Sequence, residues 1–285
     1  MIIKHYRIQT PAVMSPGDDW SQAWHGLYRL NGVKSDEAIE RFQIAQDTAH
    51  WDNCVGEREF EVDCFLSILG DIKTDSVTFV ELGAGYAEWC LALAGVVKNN
   101  IIPLNFKNYR CIAVEADPQH KSWAVEHFLG NKIAGTVVEA AISDKNGTCS
   151  FAIDNNPADC YGQSITVGNS FLRTIGNTLR RKKITVKCLT LKTLMEMEEI
   201  EKIDLIHMDV QGAESRVVRA GMDVIKQGLI KYWLIGTHGK TYNKEIMTML
   251  SPYYNNIVNL LPDAIGMVSG NRIKCQDGIQ VWKLK

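Results

Sequence analysis

The sequence has no excess of charge of either sign. Its 285 residues carry 31 Lys and Arg against 33 Asp and Glu, so no global field recommends nucleic acid or an anionic membrane as partner, and any charge-based recognition must be local. Nor is there a run of about 18 consecutive apolar residues, which argues against a membrane span. The opening stretch "MIIKHYRIQTPAVMSPGDDW" lacks the apolar segment of a signal peptide. A soluble, unexported, cytoplasmic protein is expected. The eight cysteines, at positions 54, 64, 90, 111, 149, 160, 188 and 275, form no CxxC pair and no Cys/His ligand spacing. Several fall in expected strands or helices, so buried reduced thiols are expected rather than disulfides. Internal repeats and low-complexity tracts are also absent. What remains is a chain long enough for one large α/β core, or for a core domain with a smaller appendage.

The first 70 or so residues read as helical. "DDWSQAWHGLYRL" places Trp20, Trp24, Leu27 and Leu30 at helical spacing, "SDEAIERFQIAQDTAHW" starts from a Ser35 cap, and "EREFEVDCFLSIL" is a third amphipathic segment. Residues 1–72 are therefore expected to form a helical cap on a sheet domain spanning 73–285. From Val77 the pattern alternates. "VTFVEL", "YRCIAVEA", "GTVVEAAI", "CSFAI", "KITVKCL", "IDLIHMDV", "KYWLIGTH", "YNNIVNLL" and "GIQVWKL" read as strands, with helices such as "YAEWCLALAGVV" and "DPQHKSWAVEHFL" between several of them. Near-continuous apolar strands alternating with helices indicate a mostly parallel sheet covered on both faces. Ligands of such sheets bind beyond the carboxyl ends of the strands, near the switch point.

"FVELGAGYAEWC", residues 79–90, is a strand, a glycine turn and a helix start. Gly83 and Gly85 permit a tight turn and close backbone approach to a nucleotide. Glu88 stands where a third glycine would complete GxGxxG, and an acid on that first helical turn disfavours a pyrophosphate. Glu81 suits a ligand with a positive group, such as the amino group of a methionine moiety. Glu115, which ends the next strand 30 residues beyond Gly85, suits the ribose hydroxyls, a feature shared by NAD and S-adenosylmethionine sites.

"IDLIHMDVQGAESRVVRAG", together with "VELGAGYAEW", "AVEADP", "VVEAAISDKNG", "VKCLTLKTL" and "LIGTH", resembles the FkbM family of S-adenosylmethionine-dependent methyltransferases. The likeness runs from about residue 76 to 260. It implies a Rossmann-like class I methyltransferase fold with a seven-stranded, mostly parallel sheet, and O-methylation of a hydroxyl on a sugar, glycan or natural product. By the same likeness Glu81, Gly83, Ala84, Gly85 and Tyr86 line the methionine and ribose end, Glu115 the ribose, Ala116 and Asp117 the adenine edge, and Ala140 and Ala141 the adenine flanks, and Asp209 is expected among the cofactor-binding residues. The sequence departs from the family in two places: Thr190-Leu191-Lys192 stands where Thr-Leu-Asp is usual, and Gly236-Thr237-His238 where Glu-Thr-His is frequent.

Methyl transfer to oxygen needs an in-line approach and a proton acceptor, and positioning supplies much of the rate. Asp209 and His238 fall at adjacent strand ends. His238 is expected to be the base, because its ordinary pKa lies near neutrality, and Asp209 to orient the hydroxyl or the imidazole. The bland alternative for Asp209 is a cap on the helix near Gly212. Gln211 and Glu214 are read as acceptor-orienting, and His207 as a core histidine. No metal is expected, since carboxylates are sparse at these strand ends.

Residues 154–183 form a long polar stretch, read as an acceptor loop in which Tyr161, Gln163 and Arg173 bind substrate. Trp20, Trp24, Tyr28 and Trp51 are expected in a core rather than as a sugar-stacking platform. Two other functions stay open: an NAD-linked oxidoreductase and a non-catalytic adenosyl-ligand-binding protein. The expected partner is a small-molecule or glycan acceptor, with a homodimer compatible with the last strands.

Overall fold

A computed structural model describes residues 15–31, 54–153, 156–159, 164–165 and 182–285. Strands β1 (Trp20–Gln22) and β2 (Tyr28–Leu30) form an antiparallel hairpin. After β3 (Val55–Gly56) and helix α1 (Glu57–Asp71) come β4 (Ser76–Leu82), α2 (Glu88–Lys98), β5 (Asn108–Glu115), α3 (Pro118–Gly130) and β6 (Gly135–Glu139). Strands β7 (Ala141–Ile142), β8 (Gly147–Ile153), β9 (Ser164–Ile165) and β10 (Lys182–Leu189) follow. The alternation then resumes with α4 (Leu191–Met197), β11 (Ile203–Met208), α5 (Glu214–Ala220), α6 (Met222–Lys226), β12 (Ile230–Thr237) and α7 (Lys240–Leu250). The chain closes with β13 (Tyr254–Leu260), β14 (Ala264–Val268), β15 (Asn271–Cys275) and β16 (Gly278–Leu284).

Seven of these strands form the central sheet, in the order β13-β16-β12-β11-β4-β5-β6. The run from β12 to β6 is parallel, and β16 is antiparallel to both of its neighbours. Successive residues point to opposite faces, and both faces are buried. Val77 and Phe79 of β4 pack into one core with α1, α2 and α3, while Val80 and Leu82 pack into the other with α4, α5 and α7. This is the two-faced, mostly parallel sheet expected. Its chain order reverses between β4 and β11, which puts the switch point where Gly83 and Asp209 meet.

Three elements differ from expectation. Residues 20–30 form a hairpin, not a helix. The amide and carbonyl of Tyr28 bond to the Asn131 side chain (2.8 and 2.7 Å) and Leu30 N donates to His127 Nε2 (2.9 Å), so side chains at the end of α3 satisfy the β2 backbone in place of helical bonds. The hairpin lies in two notches: added side chains at Gly130 and Gly95 would come within 2.6 Å of Trp20 and of the His25 carbonyl. Trp20 is edge-on to His127 and Trp24 to His25, so both rings serve internal packing. Ser35, its segment and Trp51 lie outside the described residues.

Second, "CSFAI" and "KITVKCL" leave the main sheet. They pair as β8 and β10 in a separate four-stranded sheet ordered β7-β10-β8-β9. Third, β14 and β15 form an unforeseen hairpin turning at Ser269 and Gly270, both at positive φ (49° and 84°). Helix α1 packs within the main core, Phe65 edge-on to Phe79 at 5.7 Å between ring centroids.

Candidate functional site

At the end of β4 the backbone turns back on β5. Gly83 N and Ala84 N both donate to Val114 O (3.1 and 3.0 Å), with Gly83 and Gly85 at φ 74° and 54°. The two glycines serve different purposes. A Cβ at Gly83 would lie 1.9 Å from the carbonyl oxygen of Asp209, whereas one at Gly85 would meet nothing within 4 Å. Gly83 is therefore required by the neighbouring strand end, and Gly85 faces the open cradle. Across that cradle Glu115 accepts from Gly85 N (2.6 Å) and Asp117 N (2.7 Å). Burial raises its pKa, opposed by the His120 charge and these amide bonds. A carboxylate has about four lone-pair sites, so two remain for a ligand's hydroxyls.

The other residues expected at the cofactor end have internal partners. Glu81 is buried, and its two oxygens accept from Trp89 N (3.1 Å) and Cys90 N (2.9 Å), which anchors the start of α2 from inside the sheet. Burial pushes it up to about 7. The Tyr86 hydroxyl bonds to Glu88 Oε2 at 2.6 Å. Asp117 caps α3, accepting from Gln119 N (2.8 Å) and His120 N (3.2 Å) behind Pro118. Ala116 and Ala141 back onto Phe151 and Val186 of the second sheet, and Ala140 is buried in the core that holds Val80 and Leu82. The open glycine turn beside a buried acceptor carboxylate fits an adenosyl group with its vicinal hydroxyls.

The residues expected at the reacting end form a cluster at the ends of β11 and β12. Asp209 N donates to Leu82 O (3.0 Å), which ties the two strand ends together. Gln211, at φ 51°, donates to Asp209 Oδ1 (3.0 Å). Glu214 is fully buried. Its Oε1 accepts from Gly212 N (2.9 Å) and lies 2.8 Å from His238 Nδ1. His238 Nε2 sits 3.4 Å from Asp209 Oδ1 and 3.5 Å from Asp277 Oδ2. Asp209 caps nothing: the N-cap of α5 is Ala213, with no side-chain cap bond. Burial works against charge on His238, yet the Glu214 bond and the charges of Asp209, Glu214 and Asp277 push it up to about 10. Burial raises Asp209 and Asp277, both opposed by the His238 charge.

The structure thus brings Asp209, Gln211, Glu214 and His238 together beside the glycine turn. Tyr161, Gln163 and Arg173 lie outside the described residues. His207 is buried, bonded to Glu61 Oε1 (3.0 Å) and tilted against Trp89, as expected of a core histidine. Two acids escaped the sequence reading. Asp277 arrives through the turn before β16, where Thr237 pairs with Gly278, and only its Asp-Gly turn signal is visible in the sequence. Glu57, at the start of α1, accepts from Gln276 N and Asp277 N (2.6 and 3.0 Å) and holds that turn. The departures from the family pattern also find their places. Lys192 is exposed and pairs with Glu196 at 3.9 Å on a solvent face. Gly236 lies beside the Asp209 side chain, 3.7 Å from its Cγ to an added Cβ, and Asp277 supplies a further carboxylate facing His238.

Residues 92–262 match the family model described as Methyltransferase FkbM domain. A curated protein of Jannaschia sp. (strain CCS1), carried under a provisional methyltransferase name, is 27% identical over 179 residues. The match covers 61% of this chain and 61% of that protein, so the chain spans less than two thirds of its relative's length. Similar solved structures include a precorrin-6y C5,15-methyltransferase from Geobacter metallireducens GS-15 (12% identity, 97% of this chain and 100% of that one, TM-score 0.44). Another is the N-terminal domain of human METTL16 in complex with SAH (9% identity, 93% and 88%, TM-score 0.45).

Proposed function

Because the chain belongs to the FkbM methyltransferase family, we propose that it transfers a methyl group from S-adenosylmethionine to a hydroxyl of a sugar, glycan or natural product. The observation that carries this reading is the meeting of two strand ends: the glycine turn after β4 closes on the carbonyl of Asp209, whose side chain faces His238. A cofactor cradle and a proton-handling cluster thereby share one wall. Glu115 would take the ribose hydroxyls, residues 83–86 the methionine end, and Ala116, Asp117, Ala140 and Ala141 the adenine. The cofactor supplies an electrophilic methyl on a sulfonium. The chain's own residues must orient the acceptor, exclude water and receive its proton.

The geometry favours Asp209 over His238 for that proton, the reverse of the sequence expectation. His238 Nδ1 is held by Glu214, and its Nε2 is flanked by two carboxylates. The His238 side chain is 14% exposed and that of Asp209 42%. Asp209 is the group an incoming hydroxyl can reach, and Gln211 holds one of its oxygens in place. A positioned base of this kind contributes about 10²- to 10⁴-fold. Residues 154–183 remain the proposed acceptor loop. The free thiols of Cys64, Cys90, Cys111, Cys149, Cys188 and Cys275 fit a reducing, cytoplasmic setting, and no described helix is long and apolar enough to cross a membrane.

Thermal-shift titration with S-adenosylhomocysteine and with NAD tests the cofactor, and a labelled-methyl screen over sugars, lipids and peptides tests the chemistry. Stabilisation by NAD alone overturns the reading. Binding of S-adenosylhomocysteine without methyl transfer to any acceptor leaves a binding protein instead.

A further inference from the structure

The acids around His238 outnumber what one imidazole can satisfy. Asp209, Glu214 and Asp277 all face it. Glu57 lies directly behind the Asp277 backbone. The neighbouring cation, Arg58, is already engaged by Glu61 (3.0 Å) and Glu88 (2.8 Å). Two atoms inside this cluster have no hydrogen-bond partner: His238 Nε2 and Oε2 of the fully buried Glu214. Burying such atoms unmatched costs free energy that a protein rarely leaves uncompensated.

The imidazole has the two-sided arrangement of a metal ligand. Metal-bound histidines usually donate their other ring N–H to a carboxylate, which fixes the ring and the tautomer. Glu214 Oε1 is at 2.8 Å from Nδ1, so Nε2 is the nitrogen left to coordinate an ion, which would displace the proton it carries. It looks out between Asp209 Oδ1 and Asp277 Oδ2 at 3.4 and 3.5 Å, too far and too poorly aligned for hydrogen bonds. Those separations have another meaning. With metal–ligand distances of about 2.0 to 2.2 Å, two ligands on one ion stand about 3.3 to 3.6 Å apart in tetrahedral geometry and about 2.8 to 3.1 Å apart in octahedral geometry. Both separations from Nε2 match tetrahedral edges. Among the described residues, Asp209, Glu214 and His238 are the group whose ligand atoms all lie within 4.8 Å of one another, and Asp277 Oδ2 adds its approach to Nε2 at 3.5 Å.

We propose that His238 Nε2, Asp209 and Asp277 bind a small divalent cation of zinc-like geometry, with Glu214 as the residue that positions the imidazole. Three protein ligands leave a fourth position for an acceptor oxygen, as catalytic metal sites do. An ion there would act as a Lewis acid on an acceptor oxygen. The two carboxylates come from different elements, β11 and the turn before β16, so the site is legible only in the folded chain. It shares its residues with the proposed methyl transfer, but its test uses metal alone, so failure to bind metal and failure to transfer methyl are separate results.

The probe is Co²⁺ added to chelator-treated, reduced full-length protein without cofactor or acceptor, followed by calorimetry and visible absorption. One ion per chain is expected, with the intense visible bands of four-coordinate cobalt. His238→Ala and Asp277→Asn should each weaken binding at least tenfold, and Glu214→Gln about 10- to 100-fold. Glu245→Gln, in a surface pair with Arg219, should leave it unchanged. Asp277 is 41% exposed, so Asp277→Asn carries the test if a variant at buried Glu214 fails to fold. Absence of binding by the wild type, equal affinity in Asp277→Asn, or a thiolate charge-transfer band placing the ion on cysteine would each overturn the proposal.

Discussion

Gly83 and Gly85 stand two residues apart in one turn, both at positive φ, and the structure predicts different consequences for adding a methyl group to each. At Gly83 the new Cβ falls 1.9 Å from Asp209 O, 2.9 Å from its carbonyl carbon and 3.3 Å from Val210 Cγ1. The first two are backbone atoms, and Asp209 N is bonded to Leu82 O, so relief requires β4 and β11 to part by well over an ångström at their ends. Left-handed backbone costs a non-glycine residue about 1 to 2 kcal/mol, and forcing apart a packed contact adds about 1 to 3 kcal/mol. Gly83→Ala should therefore lose about 2 to 5 kcal/mol of stability. At Gly85 only the backbone term applies, because the added Cβ meets nothing within 4 Å. Gly85→Ala should lose about 1 to 2 kcal/mol while placing its methyl in the proposed cofactor cradle.

Urea unfolding of the two variants, with calorimetric titration of S-adenosylhomocysteine into each, separates the effects. Gly85→Ala should fold well and bind poorly; Gly83→Ala should be the less stable of the pair. The reasoning fails if Gly85→Ala binds S-adenosylhomocysteine like the wild type, or if Gly83→Ala is as stable as Gly85→Ala. The first result would move the cofactor out of the turn, and the second would mean that the strand ends do not meet as described.

Glu115→Gln retains acceptor capacity for Gly85 N but loses the charge that a ribose diol would bind, so S-adenosylhomocysteine affinity should fall by about tenfold or more, since hydrogen bonds to charged groups contribute about 1.5 to 3 kcal/mol; unchanged calorimetric affinity would remove Glu115 from the site. Asp209→Asn should lower kcat by about 10²- to 10⁴-fold with cofactor affinity nearly unchanged, and single-turnover methyl transfer at the wild-type rate would exclude it as proton acceptor. Burial, opposed by the Tyr86 carbonyl bond, lowers His127 from 6.5 to about 4, so the unfolded chain takes up the proton first. The stability this neutral histidine provides is present above pH 6.5 and is lost as pH falls toward 4, about 2 kcal/mol of it between pH 7 and 5. His127→Gln should flatten that slope by the same amount, and an identical pH dependence in urea unfolding of both proteins would refute it.

The strands were legible because their apolar character is continuous. Val77, Phe79, Val80 and Leu82 serve two different cores, and a segment buried on both faces advertises itself without alternation. The α3 start was legible because Asp117 and Pro118 act locally. Residues 20–30 were not, because their structure is decided elsewhere. Trp20, Trp24, Leu27 and Leu30 satisfy helical spacing, yet His127 and Asn131 pair with the β2 backbone. Period and propensity cannot register a partner that far along the chain.

The site divides along the same line. Strand-end logic places Asp209 and His238 side by side, since β11 and β12 are adjacent and parallel. Their roles depend on which group meets which ring nitrogen, and that is set by β16. This strand runs back against β12 so that Gly278 faces Thr237. A side chain at Gly278 would strike Thr237 Oγ1 at 2.3 Å and Leu260 O at 2.7 Å, so only glycine lets the turn close over the end of β12. That closure, with Glu57 of α1 gripping the amides of Gln276 and Asp277 from the other side, is what carries the Asp277 carboxylate to His238. The antiparallel strand and the first long helix are therefore parts of the proposed reacting end as well as of the core. A substitution at Glu57 or Gly278, distant in sequence from Asp209, acts on the same imidazole.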